Sequence, residues 1–562
     1  MSEVEAPVLP RLPRLALLLL FVGSFGLFGL TAHGYLENSD AQITMHAARA
    51  WWLRGSPGLV GAGDAQLLDD GAPTWPAEQA IVDRFVTDPD LPRYGRVGRD
   101  GRSYVWFPIG HQALMVPGIA LAGQLDAAFP AVEARFRAQR NDPLFGEFFW
   151  DRFVLSFLSP LFAAGSVVCL LVLCLALGAS LGPALLATAV AVLCTQFWPG
   201  TSESMSDMPG TFFLLAPAAL IALYARGREA DALLWAGVLG GAGVLLRYPQ
   251  ALPLCGLGAY ALWVALRRGR ALDFAWFVVG GLPMAALLAY ANLWRFGDAA
   301  ETGYSGGVGF FSYPLEQGLP SILFATGKGI LWFSLPLWLA FAQFGKAEVR
   351  RRAAPWFALA TLAAPLPLYA TLHYWAAGQC WGIRYLTGVV VLFVAVTLAL
   401  GRPWRTSPRA FWLISGLGFL LSLGGHLSPY RGHQGFAYPA AAVHWQADPN
   451  TLNDNVNWDP RFTPLHGHWN YARLAATGRI ESGRSADTTE PLFGVSMPDG
   501  TAPRPSREDA GFRHLWWRYL EDLWPEFPGL AAAGGLALGS LLVLAAALWR
   551  LGTWARRGPA HR

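Results

Sequence analysis

The chain has 562 residues, of which 54% are hydrophobic and only 14% charged, with a mean hydropathy of +0.33. Soluble domains carry about 25% charged residues, so an ordinary cytosolic enzyme does not fit, and Gly and Pro spread along the chain match neither collagen nor low-complexity disorder. A net charge of +4, without Lys/Arg clusters interleaved with aromatics, leaves no footprint for nucleic acid. The composition predicts an all-α polytopic membrane protein.

From the N-terminus, Arg11 and Arg14 precede an apolar run. No small-x-small cleavage site follows it ahead of a soluble domain, so it is read as an uncleaved first span over 15–32. A helix needs about 20 apolar residues to cross the hydrocarbon, fewer where the bilayer thins. Further spans are expected near 153–177, 183–199, 208–224, 232–246, 249–266, 274–294, 321–344, 354–373, 385–401, 410–427 and 530–549. The run 106–125 is apolar but carries Pro108, His111, Gln112 and Pro117.

Short loops rich in Arg and Lys belong on the cytoplasmic side. Here they hold Arg226 and Arg228; Arg267, Arg268 and Arg270; Lys346 with Arg350, Arg351 and Arg352; and Arg402, Arg405 and Arg409. These clusters, Arg11, Arg14 and the tail with Arg550, Arg556 and Arg557 all fall inside only if 106–125 is re-entrant or juxtamembrane. The expectation is therefore about twelve spans with both termini cytoplasmic. A transmembrane domain (1–427) has a first outer loop with juxtamembrane helices (33–152); an outer region (428–529) and a last span with its tail (530–562) follow. Within the outer region, 512–524 reads as an amphipathic helix lying on the membrane.

Cys169, Cys174, Cys194 and Cys255 lie in apolar runs, Cys380 lies in a polar loop, and no C-x-x-C pair occurs. Disulfide frameworks, zinc knuckles and thiol redox sites are therefore disfavoured. The spans are nearly free of ionisable residues, whereas an ion-coupled transporter needs them along its path. Charge gathers instead at the outer helix ends. That suits a substrate that is half lipid and half polar.

Asn38 or Ser39 makes an N-cap that places Asp40 in the first turn of an outer helix, where a carboxylate is favoured as an ion. Glu203 and Asp207 lie in the connection before the fourth span, four residues apart, and share a face if that connection is helical. Two carboxylates near a third suit a base with its orienting partner, or a divalent cation site. Arg247, Lys328 and Arg384 stand at outer span ends, where a cation can reach a phosphate, an arginine bidentately, or simply snorkel. His111 is a candidate substrate contact or a structural interfacial histidine. His466 and His468 alone are a weak metal signal. Nucleotide and zincin motifs are absent from the sequence.

The order of these short motifs resembles the polyprenyl-phosphate-dependent GT-C glycosyltransferases, in the branch of protein O-mannosyltransferases and lipid A aminoarabinose transferase. The matching stretches are Asn38-Ser39-Asp40, Ser204-Met205-Ser206-Asp207-Met208-Pro209, Arg247-Tyr248-Pro249, Phe296-Gly297 with Thr302-Gly303-Tyr304, Gly327-Lys328-Gly329 and Gly382-Ile383-Arg384-Tyr385. They cover about residues 15–400. The resemblance implies a GT-C-like bundle in a bacterial inner membrane and an outward-facing site that moves a sugar, with inversion, from a polyprenyl-phosphate donor to a lipid, glycan or protein.

Asp40 maps onto the family's general base and Asp207 onto its second acid, with Glu203 as helper. Arg247, Lys328 and Arg384 map onto its phosphate-binding cations, and Tyr304, Tyr385 and His111 join them as substrate contacts. The chain departs from the family in having Ser39-Asp40 rather than an Asp-Glu pair, and Phe107-Pro108-Ile109 where a basic-Pro-Pro sequence is common. Rival readings are a lipid flippase or transporter, a lipid-binding assembly subunit, and an O-antigen ligase or polymerase.

Overall fold

The computed structural model describes residues 12–36, 38–61, 63–67, 72–87, 94–139, 146–304, 310–446, 449–477, 489–498, 503 and 512–556. Arg11, Glu37 and Arg557 lie outside the described residues.

Among those residues, eight helices are long and apolar enough to cross a membrane: Phe149–Ala176, Asp207–Ala225, Tyr248–Arg267, Ala271–Phe296, Ala353–Ala370, Arg384–Gly401, Pro408–Leu427 and Gly529–Arg556. Three shorter apolar helices, Arg14–Leu30, Leu181–Leu193 and Asp231–Leu246, accompany them. The chain is an α-helical integral membrane protein; a small hairpin, Gly95–Val97 with Ser103–Val105, lies between the helices Pro76–Val82 and Ile109–Ala128.

These helices overlie the expected spans except 321–344. There the chain forms Leu315–Phe324, Ile330–Phe333 and Pro336–Phe344 instead of one continuous helix. Pro336 starts a new helix, and the Gly329 backbone lies against Ala325, leaving no room for a side chain. The expected twelve full-length spans are therefore not confirmed. The ambiguous run 106–125 contains the helix Ile109–Ala128, followed by Pro130–Gln139 at a bend of 97°, which is either a broken span or a re-entrant loop.

The Arg384–Gly401 helix forms the axis of the bundle: every residue from Thr387 to Ala399 is buried, as expected for a helix apolar all round. At the periphery, Ala271–Phe296 keeps Trp276, Tyr290 and Trp294 exposed. Its other face meets Asp231–Leu246 through glycines. A methyl group at Gly280 would run into the Leu234 carbonyl, and one at Gly237 into that of Phe277. Gly280→Ala is expected to lower the melting temperature in detergent, because overpacking costs about 1–3 kcal/mol. Wild-type melting would show that the two backbones are not in contact.

The region 428–529, expected on the outer side, has its own small core, built from Phe436, Val456, Phe462, Tyr471 and Phe493 on successive helices. The amphipathic segment forms Trp516–Leu523 and buries Tyr519, Leu520 and Leu523 against Phe149 and Trp150, so its apolar face is spent on protein.

The rings of His433 and His468, on the helices Tyr430–Trp445 and Pro464–Ala476, lie 5.1 Å apart and tilted. Burial pulls His433 down from 6.5 to about 3, with the charges of His466 and Lys328 adding to the shift. A depressed histidine stays neutral when folded, so the unfolded chain binds the extra proton between those values. The stability is present above about pH 6.5 and is lost as pH falls toward 3. His433→Gln is expected to reduce the acid slope of unfolding by about one proton, read from melting temperature against pH. An unchanged slope would count against a buried neutral imidazole.

Candidate functional site

Asn38 caps the helix Ser39–Arg54, its side chain accepting from the Ala41 amide at 2.8 Å. Asp40 therefore stands in the first turn, with its side chain 26% exposed. Asp207 opens its own helix, Asp207–Ala225, in the same way. Both carboxylates thus sit at electropositive helix ends. Residues 201–206 form turns rather than a helix, so Glu203 and Asp207 do not share a helical face.

Arg384 enters between the two aspartates. Its Nη2 lies 3.1 Å from Asp40 Oδ2, and its Nη1 lies 3.4 Å from Asp207 Oδ2 while also touching Met205 Sδ. Arg247 takes the other Asp207 oxygen. The result is an alternating chain, Asp40–Arg384–Asp207–Arg247. A cation at the start of a helix is opposed by the dipole, and the two aspartates offset this.

Arg247 reaches that position because the chain leaves the helix at Leu246. It runs extended through Arg247 and re-enters over Tyr248–Gln250, where Pro249 forbids a continuous hydrogen-bond ladder. Tyr385 lies beneath both guanidiniums, 5.6 Å from Arg247 and 5.0 Å from Arg384, and stacks on Tyr369 at 4.7 Å.

A cleft of about 310 Å³, counting the solvent it opens to, runs below this chain. Its lining combines the polar Asp207, Arg247, Arg384, Tyr369 and Gln250 with the apolar Leu214, Pro253, Pro365 and Val389. Tyr304 flanks the Asp40 side, stacked on Trp106 at 4.8 Å, and burial followed by the Asp40 charge raises its phenol. Tyr94, pushed up to about 12 by burial and then by Asp40, lies on the same side. His111 is buried close to Asp207 and Arg247, with its Nε2 unpartnered.

Two sequence candidates stand elsewhere. Lys328 is fully buried; its ammonium donates to the carbonyls of Gly378 and Cys380 at 2.7 and 2.5 Å and lies over Tyr430. Glu203 accepts the Trp381 amide at 2.7 Å. Both hold the loop that leads to Arg384 rather than lining the cleft.

Asp207 has both oxygens on arginines, and among the described residues no three His, Cys, Asp or Glu side chains are grouped to hold a metal. His466 contacts the Pro460 carbonyl at the surface, whereas His468 is buried, so that pair does not converge.

No family profile and no curated protein sequence matches the chain. Among solved structures it is similar to ArnT from Cupriavidus metallidurans. The apo form aligns at a TM-score of 0.40 and 14% identity, over 96% of this chain and 76% of that one. The form bound to undecaprenyl phosphate aligns at 0.42 and 16%, over 96% and 78%.

Three residues at the site escaped the sequence reading. Tyr369 lies in an apolar run that also carries Thr361 and Thr371, Tyr94 lies before the apolar part of the first-loop segment, and Trp106 stands at its start. The available signal was the excess of aromatics beside charge. It is too common in membrane proteins to single them out.

Proposed function

We propose that this protein moves a sugar from a polyprenyl-phosphate donor to an acceptor hydroxyl or amine, at the outer face of a bacterial inner membrane. The observation that carries this reading is the Asp40–Arg384–Asp207–Arg247 chain beside a cleft lined by both charged and apolar side chains. Such a site matches a ligand with an anionic head and an isoprenoid tail. The guanidiniums suit the phosphate, and Leu214, Pro253, Pro365 and Val389 suit the tail.

The chemistry is one displacement. Asp40 accepts the acceptor's proton as the acceptor oxygen or nitrogen bonds to the anomeric carbon. The bond from that carbon to the phosphate oxygen breaks, and Arg384 and Arg247 stabilise the charge that develops there. A single in-line attack inverts the anomeric centre. Asp207 orients both arginines and keeps them from repelling each other while the donor is absent.

Binding of undecaprenyl phosphate to the purified chain tests this reading, together with mass spectrometry of the lipid that co-purifies. Arg247→Ala and Arg384→Ala are each expected to weaken binding at least about tenfold, the scale of a lost charge-assisted hydrogen bond. Equal affinity in both variants would remove the phosphate from this site.

A further inference from the structure

Asp454 lies on the helix Pro449–Trp458 of the outer region, distant in sequence from every residue of the cleft. Its Oδ1 accepts the Trp375 indole N–H at 2.9 Å, and its Oδ2 accepts the Tyr313 hydroxyl at 2.9 Å. No cation pairs with it among the salt bridges of the described residues. A half-buried carboxylate satisfied by two neutral donors is costly unless both are held. Trp375 is fully buried, so it cannot swing out to seek another partner.

Trp375 begins the loop that ends at Arg384. Ala377, at φ +64°, adopts the left-handed conformation that a Cβ disfavours, and its carbonyl accepts Arg384 Nε at 2.9 Å. The guanidinium is therefore aimed by its own loop as well as by the two aspartates. The same outer helix grips the other side: the Asn457 carbonyl accepts the Gly327 amide at 2.7 Å, one residue before Lys328, whose ammonium holds the Gly378 and Cys380 carbonyls.

We propose that Asp454 is a positioning residue, which fixes the 374–384 loop and so sets where Arg384 stands over the cleft. The outer region is then part of the donor site rather than a cover laid over it. The effect on lipid binding rests on the function proposed above; the hold on the loop does not.

The test uses the full chain in nanodiscs, with Asp454→Ala, Asp454→Asn and Tyr313→Phe as variants. Amide hydrogen exchange is read over 374–384, and undecaprenyl phosphate is the binding probe. In Asp454→Ala, exchange in that loop is expected to rise about tenfold, as for loss of a hydrogen bond to a charged acceptor, while the 387–401 helix is unchanged. Affinity for the lipid is expected to fall by a similar factor. Asp454→Asn can still accept from Trp375 and donate to Tyr313, so it is expected to rescue both readouts. Tyr313→Phe, which removes one of the two bonds, gives a smaller rise and decides the matter if Asp454→Ala does not fold. Unchanged loop exchange overturns the proposal, as does faster exchange with unchanged affinity. A wild-type chain that does not bind the lipid overturns the function above instead, and the exchange data alone then decide the hold on the loop.

Discussion

Asp40→Asn is expected to abolish detectable sugar transfer, with a fall in turnover of about a hundredfold to ten-thousandfold, the range for losing a positioned general base. Donor binding is expected to persist, because the amide oxygen can still accept from Arg384 at the place where Asp40 Oδ2 now does. The measurements are transfer by the purified protein and undecaprenyl phosphate affinity, taken side by side. Wild-type turnover would exclude Asp40 as the base. Lost turnover accompanied by lost binding would instead assign Asp40 to holding Arg384.

Asp207→Asn is expected to act on stability first. The carboxylate is 5% exposed and neutralises Arg247 and Arg384, themselves 15% and 12% exposed. Removing one partner of a buried pair costs about 3–5 kcal/mol, because the remaining charge is left uncompensated. Here two guanidiniums are left facing each other, so a clear drop in melting temperature follows. Undecaprenyl phosphate is expected to raise the variant's melting temperature by more than the wild type's, since the phosphate replaces the missing charge. Melting like the wild type would mean that the arginines do not depend on Asp207.

The elements were legible in the sequence wherever local chemistry decides them. Asn38 could be read as a cap because its side chain satisfies an amide three residues on. The end of the helix at Leu246 could be read from Arg247-Tyr248-Pro249, since a proline and a charge both stop an apolar helix. In 321–344 the Pro336 that starts a new helix stands in the sequence, but the run has the apolar character of a span, and the crowding at Gly329 shows only in its contacts.

Partnership was the least legible level. Asp40 and Arg384 are 344 residues apart, and nothing local tells which cation meets which acid. Lys328 illustrates the resulting error. Glycine neighbours and a position at a span end fit a phosphate-binding lysine and an internal tether equally well, and only its carbonyl partners distinguish them. Asp454 sits among Asn453, Asn455 and Asn457, a run that reads as a turn.

The exposed indoles on the peripheral helix Ala271–Phe296 fix a depth for the chemistry. Trp276 and Trp294 are separated by about 27 Å of helix rise, close to the thickness of a hydrocarbon slab. Indoles favour the headgroup levels, so Trp294 marks one of the two boundaries. Its neighbour Arg295 reaches the Phe107 carbonyl and the Tyr248 hydroxyl, the latter beside Arg247 and Pro249 of the cleft. On the function proposed above, the reacting carbon then stands level with the headgroups, where an isoprenoid stays dissolved in oil, its sugar stays wet, and neither has to change phase.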